Sequence, residues 1–186
     1  MGDRAELREP DFRMSREEFR AWAQAQPGRY ERWDGVVVAM APPRVGHALR
    51  KANVWAALRR AVREAALPCQ ALPDGLTVEV DDSDYEPDAS LHCGSPLPEN
   101  AVVVPNPIVL VEVLSPSTSG IDRAMKLREY FRLPSVQHYL IVWPDRWRVV
   151  HHRRMGQGIE TATLTEGLIG LDPPGIEIGM AEIYAE

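Results

Sequence analysis

Residues 107–118 read Pro-Ile-Val-Leu-Val-Glu-Val-Leu-Ser-Pro-Ser-Thr, and Glu112 is the odd member of the run. From Ile108 to Leu114 every other side chain is apolar. A short, continuously apolar run bounded by turn residues reads as a strand covered on both faces. An ionised carboxylate in such a strand is costly unless a metal ion, a cation or several hydrogen-bond donors meet it. Upstream, Glu86-Pro-Asp-Ala-Ser-Leu91 sets Asp88 in a second short strand, 87–92. Downstream, the cap-rich Ser115-Pro-Ser-Thr-Ser119 opens a helix over 121–132 that carries Lys126. Two acids and an amine delivered from two strands and a helix point to a divalent-metal hydrolytic site, with Asp88 and Glu112 as hard oxygen ligands for magnesium, or manganese in its place. Lys126 would supply positive charge where the attacked phosphate gains negative charge. Asp122 lies four residues before Lys126 on the same helix face, and a simple exposed ion pair is the alternative reading for both.

Around this centre the chain alternates helices and strands. Ser15 and Glu18 have capping-box spacing and open a helix over 16–25. A hairpin follows at 30–40, turning at Asp34-Gly35, with Glu31 a further candidate ligand. Between Gly46 and Ala66 the period is helical, with Leu49, Ala52, Asn53, Ala56, Leu58 and Val62 recurring on one broad side. From Arg44 to Ala66 there are six Arg and Lys residues against one acid, Glu64. This basic helix is either a solvated face or a phosphate-facing one using Arg50 and Lys51, with His47 at its start able to orient water or touch phosphate. Asp81, Asp82 and Asp84 lack calcium-loop spacing and read as a solvated turn. A strand or hairpin is expected at 69–80 and strands at 107–114, 136–143, 146–153 and 159–164, then an apolar tail that packs on the sheet and ends in a helical turn near 180–184. His92, His138, His151 and His152 lack metal-ligand spacing, and no G-x-S-x-G or glycine-rich phosphate loop occurs.

The expected architecture is α/β, a mixed β-sheet flanked by helices, in one domain over 1–186 with its core at about 30–150. The net charge of −6 argues against coating nucleic acid by bulk electrostatics, though not against a local basic face. No apolar run approaches the ~20 residues of a membrane span, and the first residues lack the apolar core of an export signal. The expectation is a cytoplasmic protein in which Cys69 and Cys93, which lack C-x-x-C spacing, are reduced thiols; a disulfide between them is the alternative.

The motifs resemble the Uma-two family of restriction-endonuclease-like proteins. They are Glu86-Pro-Asp88, Val111-Glu-Val-Leu-Ser-Pro-Ser-Thr118, and Asp122, Lys126 and Tyr130 at four-residue steps. Tyr30-Glu31 with Asp34-Gly35, the Pro43–His47 segment and the 136–145 strand and turn support them. The resemblance covers about 30–150 and implies the PD-(D/E)XK nuclease superfamily. That means a restriction-endonuclease-like core, here with an added N-terminal helix and hairpin, magnesium-dependent cleavage of phosphodiester bonds of DNA, and a homodimer. Asp88 and Glu112 map to the two motif acids. The position two beyond Glu112, where the motif lysine belongs, is Leu114, and Lys126 on the next helix takes its place. Glu31, His47 and Asp122 carry over as accessory candidates. Two other readings remain: a non-catalytic nucleic-acid-binding or scaffold protein of the same fold, and a hydrolase of small phosphoesters.

Overall fold

The computed structural model describes residues 12–115 and 120–185, with the side chains of 120–122 excepted. The cap candidates Ser117 and Thr118 and the side chain of Asp122 therefore lie outside the described residues.

Helix α1 (Arg16–Gln24) starts at the expected capping box: Ser15 Oγ accepts from the Glu18 amide, and Glu18 accepts from the Ser15 amide. Phe19 is its buried residue, and Trp22 packs edge-on against Tyr30, ring centres 4.7 Å apart, at the start of the hairpin of β1 (Tyr30–Trp33) and β2 (Val36–Ala39). Asp34 and Gly35 both take positive φ, 47° and 81°, the two-residue turn whose twist matches the flanking strands. Strands β4 (Val78–Val80) and β5 (Ser83–Tyr85) complete a four-stranded sheet in the order β2-β1-β5-β4.

The larger sheet has six strands in the order β10-β9-β8-β7-β6-β3. They are β3 (Cys69–Pro73), β6 (Ala89–Cys93), β7 (Pro107–Val113), β8 (His138–Val142), β9 (Val149–Met155) and β10 (Gly158–Leu164). All its neighbours pair antiparallel except β7 and β8, which run parallel and are joined by helix α3 (Gly120–Tyr130). A parallel pair needs such a crossover. Alternation along β7 sends Val109, Val111 and Val113 into one core cluster and Leu110 and Leu114 into another. The first cluster is closed by helix α2 (Val45–Glu64) and by β11 (Leu168–Leu171), β12 (Ile176–Gly179) and α4 (Met180–Ile183); the second by Tyr85 and Tyr130 from the smaller sheet and α3. The mixed α/β architecture and the packing tail agree with the sequence reading. Among the described residues no helix is long and apolar enough to cross a membrane.

Three expectations are corrected. The buried stripe of α2 is Lys51, Val54, Ala57, Leu58, Ala61 and Val62, whereas Leu49 is 54% exposed. The apolar residues of α2 are spread all round it, so periodicity left its phase open; the C-terminal strands and β-sheet select the phase that buries Lys51. Asp84 is not in a solvated turn. It sits in β5, where its carboxylate takes Arg32 Nε at 2.7 Å and Arg16 Nε at 2.8 Å, and Arg32 is itself wholly buried. The cysteines are joined: Cys69 and Cys93 are register partners on β3 and β6, with Cα atoms 4.0 Å apart, and form a disulfide. Pairing across antiparallel strands set the distance, which a separation of 24 residues concealed.

Candidate active site

The β6–β7 register pairs Ala89 with Val111, so one step on, Asp88 comes opposite Glu112. Asp88 is held from both sides. Its Oδ2 accepts the Val113 amide at 2.7 Å, and its Oδ1 lies 2.8 Å from Lys51 Nζ. His47 Nε2 is 3.8 Å from Asp88 Oδ2 and 2.7 Å from the Val113 carbonyl. A carbonyl only accepts, so Nε2 carries the proton. His47 Nδ1 is buried with no hydrogen-bond partner among the described residues. His47 and Lys51 stand four residues apart on α2, which puts both on the face that looks at Asp88.

Glu112 points to the other side of β7 from Val111 and Val113, toward α3. Its Oε1 accepts Tyr130 OH at 2.7 Å and Lys126 Nζ at 3.0 Å. Burial, chiefly, pushes its carboxyl up to about 7; the Lys126 charge opposes that shift, and the negative charges of Asp88 and Glu31 add to it. Lys126 also donates to Glu31 Oε1 at 2.9 Å and lies 5.3 Å and 5.9 Å from the ring centres of Tyr85 and Trp33. Burial alone would lower the pKa of this ammonium, but Glu112 and Glu31 outweigh it and the net shift is upward, so Lys126 stays charged. Burial and the neighbouring Glu112 raise the Tyr130 phenol, which therefore acts as a donor. Glu31 is held by two further donors: besides Lys126 it accepts the Glu86 amide at 2.9 Å and Trp33 Nε1 at 2.8 Å.

Asp88, Glu112, Lys126, Glu31, His47 and Lys51 line one pocket of about 420 Å³ between the hairpin, α2 and β7. The structure thus brings together six of the residues singled out from sequence, and Lys126 is buried and paired with two acids, Glu31 and Glu112, rather than exposed. Arg50 and Lys51 differ from the expectation of phosphate-facing cations. The Lys51 amine is spent on Asp88 and Asp74, whose charges hold its pKa up against burial. The Arg50 guanidinium donates to the carbonyls of Ile183 and Ala185 and lies over the Tyr184 ring, fastening the tail to α2. The sequence signal for Lys51 as a site residue was its spacing from His47.

Among the described residues no group of three or more His, Cys, Asp or Glu side chains converges to hold a metal. An ion here would take two carboxylates and fill its remaining positions with water, the manner in which magnesium binds. The donor chemistry fits: hard oxygens only, one of them on a buried carboxyl that lacks enough positive charge to ionise at its ordinary pKa.

Fold and site together define a restriction-endonuclease-like α/β protein with a paired-acid pocket at the end of its central strands. A solved structure from Anabaena variabilis, described as "a putative nuclease belonging to DUF820", shares the fold with a TM-score of 0.73 at 18% identity, over 92% of this chain and 98% of that one. Residues 16–181 match the family model Uma2, described as "Putative restriction endonuclease", and the chain belongs to that family. Two uncharacterized proteins of Synechocystis sp. are similar. One, slr1290, is 31% identical over 144 residues, 72% of this chain and 70% of its own length. The other, sll1609, is 36% identical over 55 residues, 30% of this chain and 31% of its own.

Proposed function

We propose that this protein is a magnesium-dependent endonuclease that hydrolyses phosphodiester bonds of DNA in the Asp88–Glu112 pocket. The reading is carried by one observation: two acids from neighbouring strands and two buried lysines line a single pocket. Asp88 and Glu112 would hold the ion. When bound it lowers the pKa of water and neutralises phosphate charge. Lys126, fixed between Glu112 and Glu31, holds an ammonium ready for the charge that develops on the attacked phosphate. Lys51 and the Val113 amide fix the Asp88 carboxylate, so little reorganisation is left for the reacting state. A homodimer belongs to the same proposal, to be read as twice the chain mass in sedimentation.

The test pairs calorimetric titration of magnesium and manganese with plasmid cleavage. Wild type should bind one ion per site and cut DNA in a reaction stopped by chelation. Glu112→Gln should lose both while keeping its circular dichroism. Cleavage that survives Glu112→Gln rejects the site. One observation favours a second reading, a non-catalytic binding protein of the same fold: each acid already has a lysine, at 2.8 Å and 3.0 Å. Absence of any magnesium or manganese heat would support it.

A further inference from the structure

Beside the acid pocket lies a second cleft of about 810 Å³. The two share a wall formed by Pro42, Pro43 and His47. Arg44, Arg123 and Arg146 line this second cleft, and Asp145 is the only acid among its lining residues. Arg44 and Arg123 make no ion pair among the described residues, and Arg146 has only its exposed neighbour Asp145 at 3.5 Å. In a chain of net charge −6 this is a local concentration of guanidinium groups, two of them without an ion-pair partner among the described residues and the third with only an exposed one. They come from three separate parts of the chain, so no local charge run produces it. Guanidinium is the group best matched to phosphate oxygens. The cleft also holds Trp143, whose indole is steadied by the Arg148 guanidinium 4.4 Å from the ring centre.

We propose that this cleft is a subsite for a single-stranded nucleic-acid segment adjoining the bond that is cut. It rests on the nuclease reading above. Arg44, Arg123 and Arg146 take successive phosphates, and Trp143 stacks an unpaired base. Three guanidinium groups against one acid give the cleft more positive charge than a single small anion needs, which suits the repeating phosphates of a polymer. The volume lies in the range that holds a ligand of nucleotide size, roughly 300–1,000 Å³. An indole set in a cleft meets the face of a base only when that base is out of its stack, which selects a single strand over a duplex. The continuous wall of Pro42, Pro43 and His47 would let one strand run from the acids into the cleft.

The experiment is fluorescence anisotropy in chelator, where no cleavage occurs, with a labelled oligodeoxynucleotide either single-stranded or annealed to its complement. Wild type should bind the single strand more tightly than the duplex. Arg44→Ala/Arg123→Ala/Arg146→Ala should weaken strand binding and reduce the slope of log affinity against log salt by about 2, from ~0.7 for each lost phosphate contact. Trp143→Ala should weaken strand binding by between about fivefold and about a hundredfold with an unchanged salt slope. Trp143→Phe should recover most of that loss, and together with the triple variant it carries the test if Trp143→Ala does not fold. Strand binding unchanged in the triple variant, or a duplex bound as tightly as the strand, overturns the subsite. Magnesium-dependent plasmid cleavage by the same wild-type preparation is scored separately. Cleavage with binding indifferent to these substitutions sinks the subsite alone. Binding that depends on them without cleavage upholds the subsite and sinks the nuclease reading.

Discussion

Replacing Glu112 by Gln should stabilise the metal-free protein, and the gain should grow with pH. In the unfolded chain a glutamate releases its proton near 4.5, whereas in the fold burial raises Glu112 to about 7. Between those values the native state holds a proton that the unfolded state has lost, so stability falls as pH rises. The side chain is only 15% exposed, so solvent screening removes little of the effect. At about 1.4 kcal/mol per pKa unit, the wild type should lose about 3 kcal/mol relative to Glu112→Gln between about pH 5 and about pH 8. Glutamine keeps an acceptor for Tyr130, and Lys126 keeps Glu31 at 2.9 Å, so the substitution removes the charge with little else. The assay is urea unfolding of both proteins in chelator across that range. The difference between the two curves is the quantity to read, because His138, His151 and His152, held below their ordinary pKa by burial, contribute a trend of the opposite sign to both proteins. Parallel curves for wild type and variant would refute the assignment of Glu112 as a carboxyl that the fold makes reluctant to ionise.

Asp84→Asn should cost about 3–5 kcal/mol in urea unfolding, because it leaves the fully buried Arg32 with only the exposed Asp82 as a charged partner; a cost under about 1 kcal/mol would show that the pair is effectively solvated. His151, packed against His138 with its nitrogen 2.8 Å away, has its pKa pushed down to about 4 by burial and then by the neighbouring charges. Its contribution is therefore intact above about pH 6.5 and is lost as pH falls toward about 4, and His151→Gln should show a shallower loss of stability on acidification in the same assay. Cys69→Ser/Cys93→Ser should lower stability by about 3.5 kcal/mol, the loop-closure value for a separation of 24 residues, and a urea midpoint equal to that of the oxidised wild type would contradict it.

Local patterns carried the elements and much of the site. The capping box at Ser15 and Glu18, the Asp34-Gly35 turn and the acid inside an apolar strand each state their own structure within a few residues. Asp88, Glu112 and Lys126 could be read as one group because the cost of burying Glu112 demands partners, and the nearest helix supplied two of them, Lys126 and Tyr130. What escaped depends on contacts between distant segments. Asp84 looks like one acid of three until β1 brings Arg32 beside it. Lys51 looks like one cation of a basic helix until the tail strands fix which way α2 faces. The disulfide depends on the β3–β6 register, and the second cleft on three arginines from separate elements.

The fastening of α2 by the tail has a further consequence. Arg50 and Asn53 both grip the main-chain oxygens of Ile183 and Ala185, and neither touches a side-chain acceptor there. A grip on the peptide backbone is blind to spelling. At the exposed position 185 the letter is free to drift through descent while the helix bearing His47 and Lys51 stays in place, whereas at 183 the fully buried isoleucine answers to the core as well.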